Sequence, residues 1–223
     1  MELPRVDPQD VIYCVGGGPS LRGFDFSRLR GRRCVAVNRA FEVVPWAEVL
    51  FFMDLRFWNW YSRQVLETVS PETRIVTAAA GIRHPRVETV VARGGAGLET
   101  KWGFVRHGNN SGYAAVNIAV QLGARLVVLL GYDMRPDAGG RHHWHDGYPV
   151  PQRPDVYKRM LQHWQSLESA CRAAGVVVIN ATPGSALRTF PLAPQDAAVD
   201  DPVGWVRENW EDVAAGSARQ LCM

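Results

Sequence analysis

Three imidazoles fall within four residues in the stretch Arg141-His142-His143-Trp144-His145-Asp146-Gly147. Core packing does not call for three histidines in so short a polar segment. An imidazole titrates near neutral pH, so His145 or His143 could act as a general base that takes a proton from a hydroxyl. The pair His143-x-His145 could instead hold a metal ion, with Asp133 or Asp146 as third ligand. Sequence alone leaves both chemistries open.

A second motif lies near the start of the chain, Gly16-Gly17-Gly18-Pro19-Ser20-Leu21. It is neither a dinucleotide fingerprint, because Leu21 occupies the last glycine position, nor a phosphate loop, because no Gly-Lys-Ser/Thr follows. Glycines still allow backbone N–H groups to approach an anionic or polar ligand, while Pro19 fixes the turn. Ser20 can add a hydroxyl contact or cap a helix. Asn109-Asn110-Ser111-Gly112 precedes a helical pattern, with Ser111 the expected cap and the first-turn N–H groups a second anion-binding corner. Phe57-Trp58-Asn59-Trp60-Tyr61 reads as a buried helix face or as an aromatic wall for a ring-shaped ligand. No Asp-x-Asp pair occurs in the chain, which removes a common anchor for a metal diphosphate.

These residues need a frame. Apolar runs at 11–15, 34–37, 49–53, 126–130 and 176–179 read as buried strands, with further strands at 74–77 and 87–91. Helical spacing over 111–122 stops at Gly123, and a long amphipathic helix is expected over 154–174. Strands alternating with helices predict an α/β fold, a single Rossmann-like domain with a mostly parallel sheet and helices on both faces. The catalytic, nucleotide-binding domain is expected to span 1–194. Residues 195–223 would be a helical extension packed on it, with a helix at 203–215 docked by Trp205 and Trp210. In such sheets ligands gather beyond the carboxyl ends of the strands, where Asn38, Asp54, Asp133 and Asn180 fall.

The net charge of +3 suits an anionic small molecule and does not by itself indicate nucleic acid. No apolar run approaches the length of a membrane span, and the N-terminus lacks the pattern of a signal peptide, so a cytoplasmic location is expected. The four cysteines form no CxxC pair, and Cys14 and Cys34 are expected as buried free thiols.

Taken in order, the motifs resemble the bacterial sialyltransferases of glycosyltransferase family 42 and the related 6-hydroxymethylpterin pyrophosphokinase-like proteins common in phages. The glycine turn answers the family's Gly-Asn-Gly-Pro-Ser-Leu, and Asn38 answers an asparagine after the second strand. Asn110-Ser111-Gly112 and Leu130-Gly131-Tyr132-Asp133 answer its Thr-Ser-Gly helix and Gly-Ile-Asp strand end. His143 and His145 fall where the family places its base, and Pro183-Gly184-Ser185-Ala186-Leu187 and Leu192-Ala193-Pro194 answer its closing motifs.

The resemblance implies a glycosyltransferase that binds a nucleotide-sugar donor through Gly16, Gly17, Gly18, Pro19, Ser20, Asn38, Asp54, Asn110, Ser111, Gly112 and Asp133. His145, or else His143, would deprotonate an acceptor hydroxyl, and no metal or other cofactor would be required. Arg135 and Arg141 stand where the family has leaving-group tyrosines and could stabilise the departing phosphate. Gly17 and these arginines depart from the pattern and leave the donor open. The acceptor is equally open: a glycan, a small molecule or a hydroxylated base in nucleic acid, with a homo-oligomer compatible with any of them. Two alternatives stand beside this reading. One is a pyrophosphokinase-like enzyme holding Mg²⁺ on Asp54, Asp133 and Asp146. The other is a non-catalytic nucleotide-binding module.

Overall fold

Long apolar runs with no polar alternation must be covered on both faces, and the sheet meets that demand. The computed structural model describes residues 5–153 and 155–215. Its main strands are Val11–Val15 (β1), Arg33–Val37 (β2), Val49–Phe52 (β3), Arg74–Thr77 (β4), Val87–Thr89 (β5), Leu126–Leu130 (β8) and Val177–Asn180 (β9). They form one sheet in the order β5-β4-β3-β2-β1-β8-β9, and every pairing is parallel. The chain is a single Rossmann-like α/β domain. Val91–Ala92 (β6) and Phe104–Val105 (β7) pair separately, so the strand expected over 87–91 ends at Thr89.

Successive side chains of a strand point to opposite faces, and the core divides accordingly. Tyr13, Val15, Ala36, Leu50, Val128 and Leu130 face helices Leu55–Thr68 (α1), Gln195–Asp200 (α5), Pro202–Glu208 (α6) and Trp210–Ala215 (α7). Ile12, Cys14, Val35, Phe51, Val127 and Leu129 face Ser111–Gln121 (α2) and Trp164–Ala173 (α4). The segment beyond residue 194 belongs to the first core: Tyr13 Oη donates to the carbonyls of Ala198 and Val199, and Ala198, Val203 and Trp205 are buried. Cys14, Cys34 and Cys171 are buried free thiols, while Cys222 lies outside the described residues. Among the described residues no helix is long and apolar enough to cross a membrane.

Two expected helices are broken. The one predicted over 154–174 becomes Val156–Met160 (α3) and α4, separated at 161–163, and position 154 lies outside the described residues. The break lets Trp164 turn inward, fully buried against Tyr113, Tyr132 and Phe190, while α3 stays near the surface. The terminal helix likewise divides at Asn209, whose side chain donates to Trp205 O at 2.8 Å.

From β1 the strand order runs one way through β2 and the other way through β8. The crevice at such a reversal, beyond the carboxyl ends of β1 and β8, is where ligands of open α/β sheets bind. The glycine turn leaves β1 there and Gly131-Tyr132-Asp133 leaves β8 there.

Candidate active site

The glycine turn and the end of β8 are locked together. Gly16 N–H donates to Leu130 O at 2.8 Å and Gly18 N–H to Gly131 O at 2.9 Å. Ser20 donates twice to Asp133, from its backbone N–H at 2.9 Å and its hydroxyl at 2.7 Å. A Cβ on Gly16 would stand 2.7 Å from Gly131 O, and one on Gly18 would collide with the Asp133 carboxylate. The expected cradle of free amides is therefore corrected. The amides of Gly16, Gly18 and Ser20 are engaged within the protein, and these glycines permit close approach of two loops rather than of a phosphate. Gly17 differs, because a Cβ there would meet only His143 and His145 at ordinary contact distances of 3.5 and 3.8 Å. Burial raises the carboxyl pKa of Asp133, and the two bonds from Ser20 oppose that shift.

The histidine loop lies across this turn. His143 Nδ1 is 3.3 Å from Gly17 O; a carbonyl only accepts, so Nδ1 carries the proton. Its Nε2 therefore presents a lone pair, which meets the Gln152 amide at 3.1 Å. His145 has the opposite tautomer. Its Nδ1 accepts from Gly147 N–H at 3.0 Å and faces Arg39 Nη1 at 3.1 Å, and neither partner can accept. The proton of His145 is thus on Nε2, which is buried without a partner. The two rings stack with centroids 4.7 Å apart and planes 8° from parallel. Burial pushes the His143 pKa down to about 4, and burial with the Arg39 cation pushes that of His145 down to about 3. Both rings are neutral at neutral pH.

Arg39 follows Asn38 in the 3-10 turn after β2 and gave no signal in the sequence. Besides His145 its Nη1 donates to Gly147 O at 2.7 Å, while its Nε and Nη2 both donate to the Glu42 carboxylate. Three non-glycine residues among those described adopt positive φ: Asn38 at 52°, Asn109 at 60° and Met134 at 52°. All three line the crevice. Such conformations carry a cost and concentrate at functional sites.

The crevice has two connected parts. An inner cavity of about 130 Å³ is walled by the glycine turn, Asn38, Asn110-Ser111-Gly112, Asp133 and His143. His145 is not in its wall. An outer basin of about 570 Å³ shares Asn38, Asn110, Ser111, Tyr148 and Gln152 with it and adds Asp54, Arg56 and Trp60. Asn110, not Ser111, caps α2, its side chain accepting from Tyr113 N–H at 2.8 Å. Pro19 is buried beneath the turn, and Ser20 is turned to Asp133.

Other expected members stand apart. Asn180 is fully buried and binds Leu187 O and Thr182 N–H, so it holds the chain reversal after β9 and is core rather than site. Arg141 is paired with Asp137 at 2.8 Å, Arg135 is exposed near Gly184, and neither lines the crevice. Asp54, Asp133 and Asp146 are not gathered: among the described residues no group of three or more His, Cys, Asp or Glu side chains could hold a metal ion. A third cavity, apolar and about 360 Å³, lies between α4, β9 and α7 and contains none of these residues.

No family model and no curated protein matches this sequence. Its structure matches the MAf glycosyltransferase from Magnetospirillum magneticum AMB-1 over 96% of this chain, with a TM-score of 0.54 and 11% identity. The chain shares its fold with a glycosyltransferase. It spans 38% of that protein's length, so the likeness is to one portion of a longer chain.

The site residues that sequence reasoning missed are Arg39, Tyr148, Gln152 and Tyr157. Tyr157 stacks on His142, with its hydroxyl 3.0 Å from His142 Nδ1. Tyr148 packs edge-on against both His143 and His145. An aromatic residue three positions after a histidine cluster was the available hint for Tyr148. Arg39 is brought to the site across 106 residues by tertiary structure alone.

Proposed function

We propose that the chain is a glycosyltransferase that moves a sugar from a nucleotide-activated donor to an acceptor hydroxyl, with His143 as general base. The observation that carries this reading is the tautomer of His143. Gly17 O holds the proton on Nδ1, so the Nε2 lone pair belongs to the wall of the inner cavity. The Gln152 amide at 3.1 Å marks the position an acceptor O–H would take. His145 has no free lone pair of its own and acts as a positioning residue, stacked beneath His143. The shared fold and the ordered motifs resembling family 42 support the same reading.

In the reaction the acceptor proton passes to His143 Nε2 as the acceptor oxygen bonds to the anomeric carbon. The bond from that carbon to the donor phosphate breaks, and the nucleotide leaves with its electron pair. A ring with a pKa of about 4 takes up a proton only weakly, so transfer accompanies attack rather than preceding it. Among the described residues the carboxylates of Asp54, Asp133 and Asp146 are not gathered into a metal-holding group, which weighs against the Mg²⁺-dependent alternative.

The test is a panel of nucleotide sugars incubated with the protein, alone and with glycan, small-molecule or hydroxymethylated DNA acceptors, with release of free nucleotide followed by chromatography. Transferase activity gives acceptor-dependent release from at least one donor. Saturable nucleotide binding with no release from any donor would instead identify a binding module.

A further inference from the structure

The inner cavity holds the base but no cation. Asp133 is the carboxylate in its wall, burial keeps the His143 ring there neutral at neutral pH, and among the described residues no arginine or lysine lines it. The outer basin has the reverse character. Arg56, Arg153 and Arg159 line it against the single carboxylate of Asp54, a balance of three positive charges to one negative. Asp54 is already matched by Arg56 at 3.6 Å. Arg153 and Arg159 carry no carboxylate partner among the described residues.

Size points the same way. A nucleotide-sized ligand needs roughly 300–1,000 Å³. The inner cavity, at about 130 Å³, takes one ring-sized end of such a ligand, and the outer basin, at about 570 Å³, takes the remainder. Gln152 joins the two parts, since its side chain touches the base and its chain neighbour is Arg153.

We infer that Arg153 and Arg159 form the anion-binding site for the phosphate groups of the ligand, in the outer basin and not at the glycine turn. The assignment deepens the transferase reading and rests on it for the identity of the ligand as a phosphorylated nucleotide. It replaces Arg135 and Arg141 as the phosphate partners. A guanidinium offers a planar pair of donors that matches two phosphate oxygens, and here neither guanidinium must first leave a carboxylate.

Calorimetric titration of the full chain with inorganic pyrophosphate tests it without any turnover. Wild type should bind saturably. The double variant Arg153→Gln/Arg159→Gln should weaken binding by about tenfold or more. Arg135→Gln/Arg141→Gln should leave the affinity within about twofold, as exposed charges outside a site do. All four positions are exposed, and equal melting temperatures confirm that folding is unaffected. Unchanged affinity in the first double variant, loss confined to the second, or no saturable binding by wild type would each overturn the assignment. Arginine-dependent pyrophosphate binding with no turnover of any nucleotide sugar would sink the transferase reading and leave this site standing.

Discussion

Arg39 Nη1 lies 3.1 Å from Nδ1 of His145, and a guanidinium beside an imidazole nitrogen can only donate. That contact, with the Gly147 N–H, fixes the His145 tautomer, adds to burial in keeping the ring neutral, and ties the turn after β2 to the loop after β8. In Arg39→Gln the cation that lowers the His145 pKa is gone, and Glu42 is left unpaired nearby. Both changes favour imidazolium. NMR titration of the His145 ring should show its pKa rising from about 3 toward the ordinary histidine value. An unchanged titration would mean that burial alone sets it.

The depressed histidines also make stability depend on pH. In the unfolded chain both rings protonate near pH 6.5, whereas in the folded chain they do so near pH 4 and pH 3. Between these values the unfolded state binds more protons, so stability is present above about pH 6.5 and falls as the solution is acidified. The raised pKa of Asp133 acts in the opposite sense over the carboxylate range. Melting temperature measured from pH 7.5 to 4.5 should fall, and His143→Gln/His145→Gln should flatten the acid side of that curve.

The glycine turn can be dissected residue by residue. Gly18→Ala drives a methyl into the Asp133 carboxylate and should cost about 1–3 kcal/mol in denaturant unfolding, as overpacking does. Gly17→Ala meets only ordinary contacts and should stay within about 0.5 kcal/mol of wild type. Equal losses at both positions would contradict a turn built on its contact with β8.

Much of the frame was legible because its signals are local. The strand Leu126–Leu130 is an unbroken apolar run, and such a run has few other folds available to it. The broken helices were not legible, because Trp164 leaves the helical path to fill a core space that only tertiary structure defines. The same distinction holds in the site. Gly16, Asn38 and Asn110 stand at strand or helix ends and line one crevice, which His143 reaches from the loop after β8. Asn180 stands at a strand end too, but the chain folds back over it through Leu187, and no sequence pattern announces that cover. Which histidine faces the cavity depended on Gly17 O and Arg39, partners more than 100 residues away in the chain.

Metal removal separates the transferase from the pyrophosphokinase-like alternative. With no gathered ligand set among the described residues, nucleotide release should be unchanged by EDTA and by added Mg²⁺. Activity that stops in EDTA and fails in Asp54→Ala would favour the alternative.

The pH dependence of turnover follows from the same ring. The base must be neutral to act, so kcat/KM should hold as pH falls through 6.5 and drop only as it approaches about 4. Rates measured at pH 5 and pH 7.5 check this, with circular dichroism at pH 5 showing whether the chain is folded there. A loss centred near pH 6.5 would point to an unperturbed histidine instead.

The most direct measurement compares nucleotide release by His143→Gln and His145→Gln with that of wild type, on the donor and acceptor found active. Loss of the base should lower kcat by about 10²–10⁴-fold in His143→Gln. Removal of a stacked support should cost about tenfold in His145→Gln. A larger loss in His145→Gln, or near wild-type release by His143→Gln, would contradict the assignment of His143 as the base.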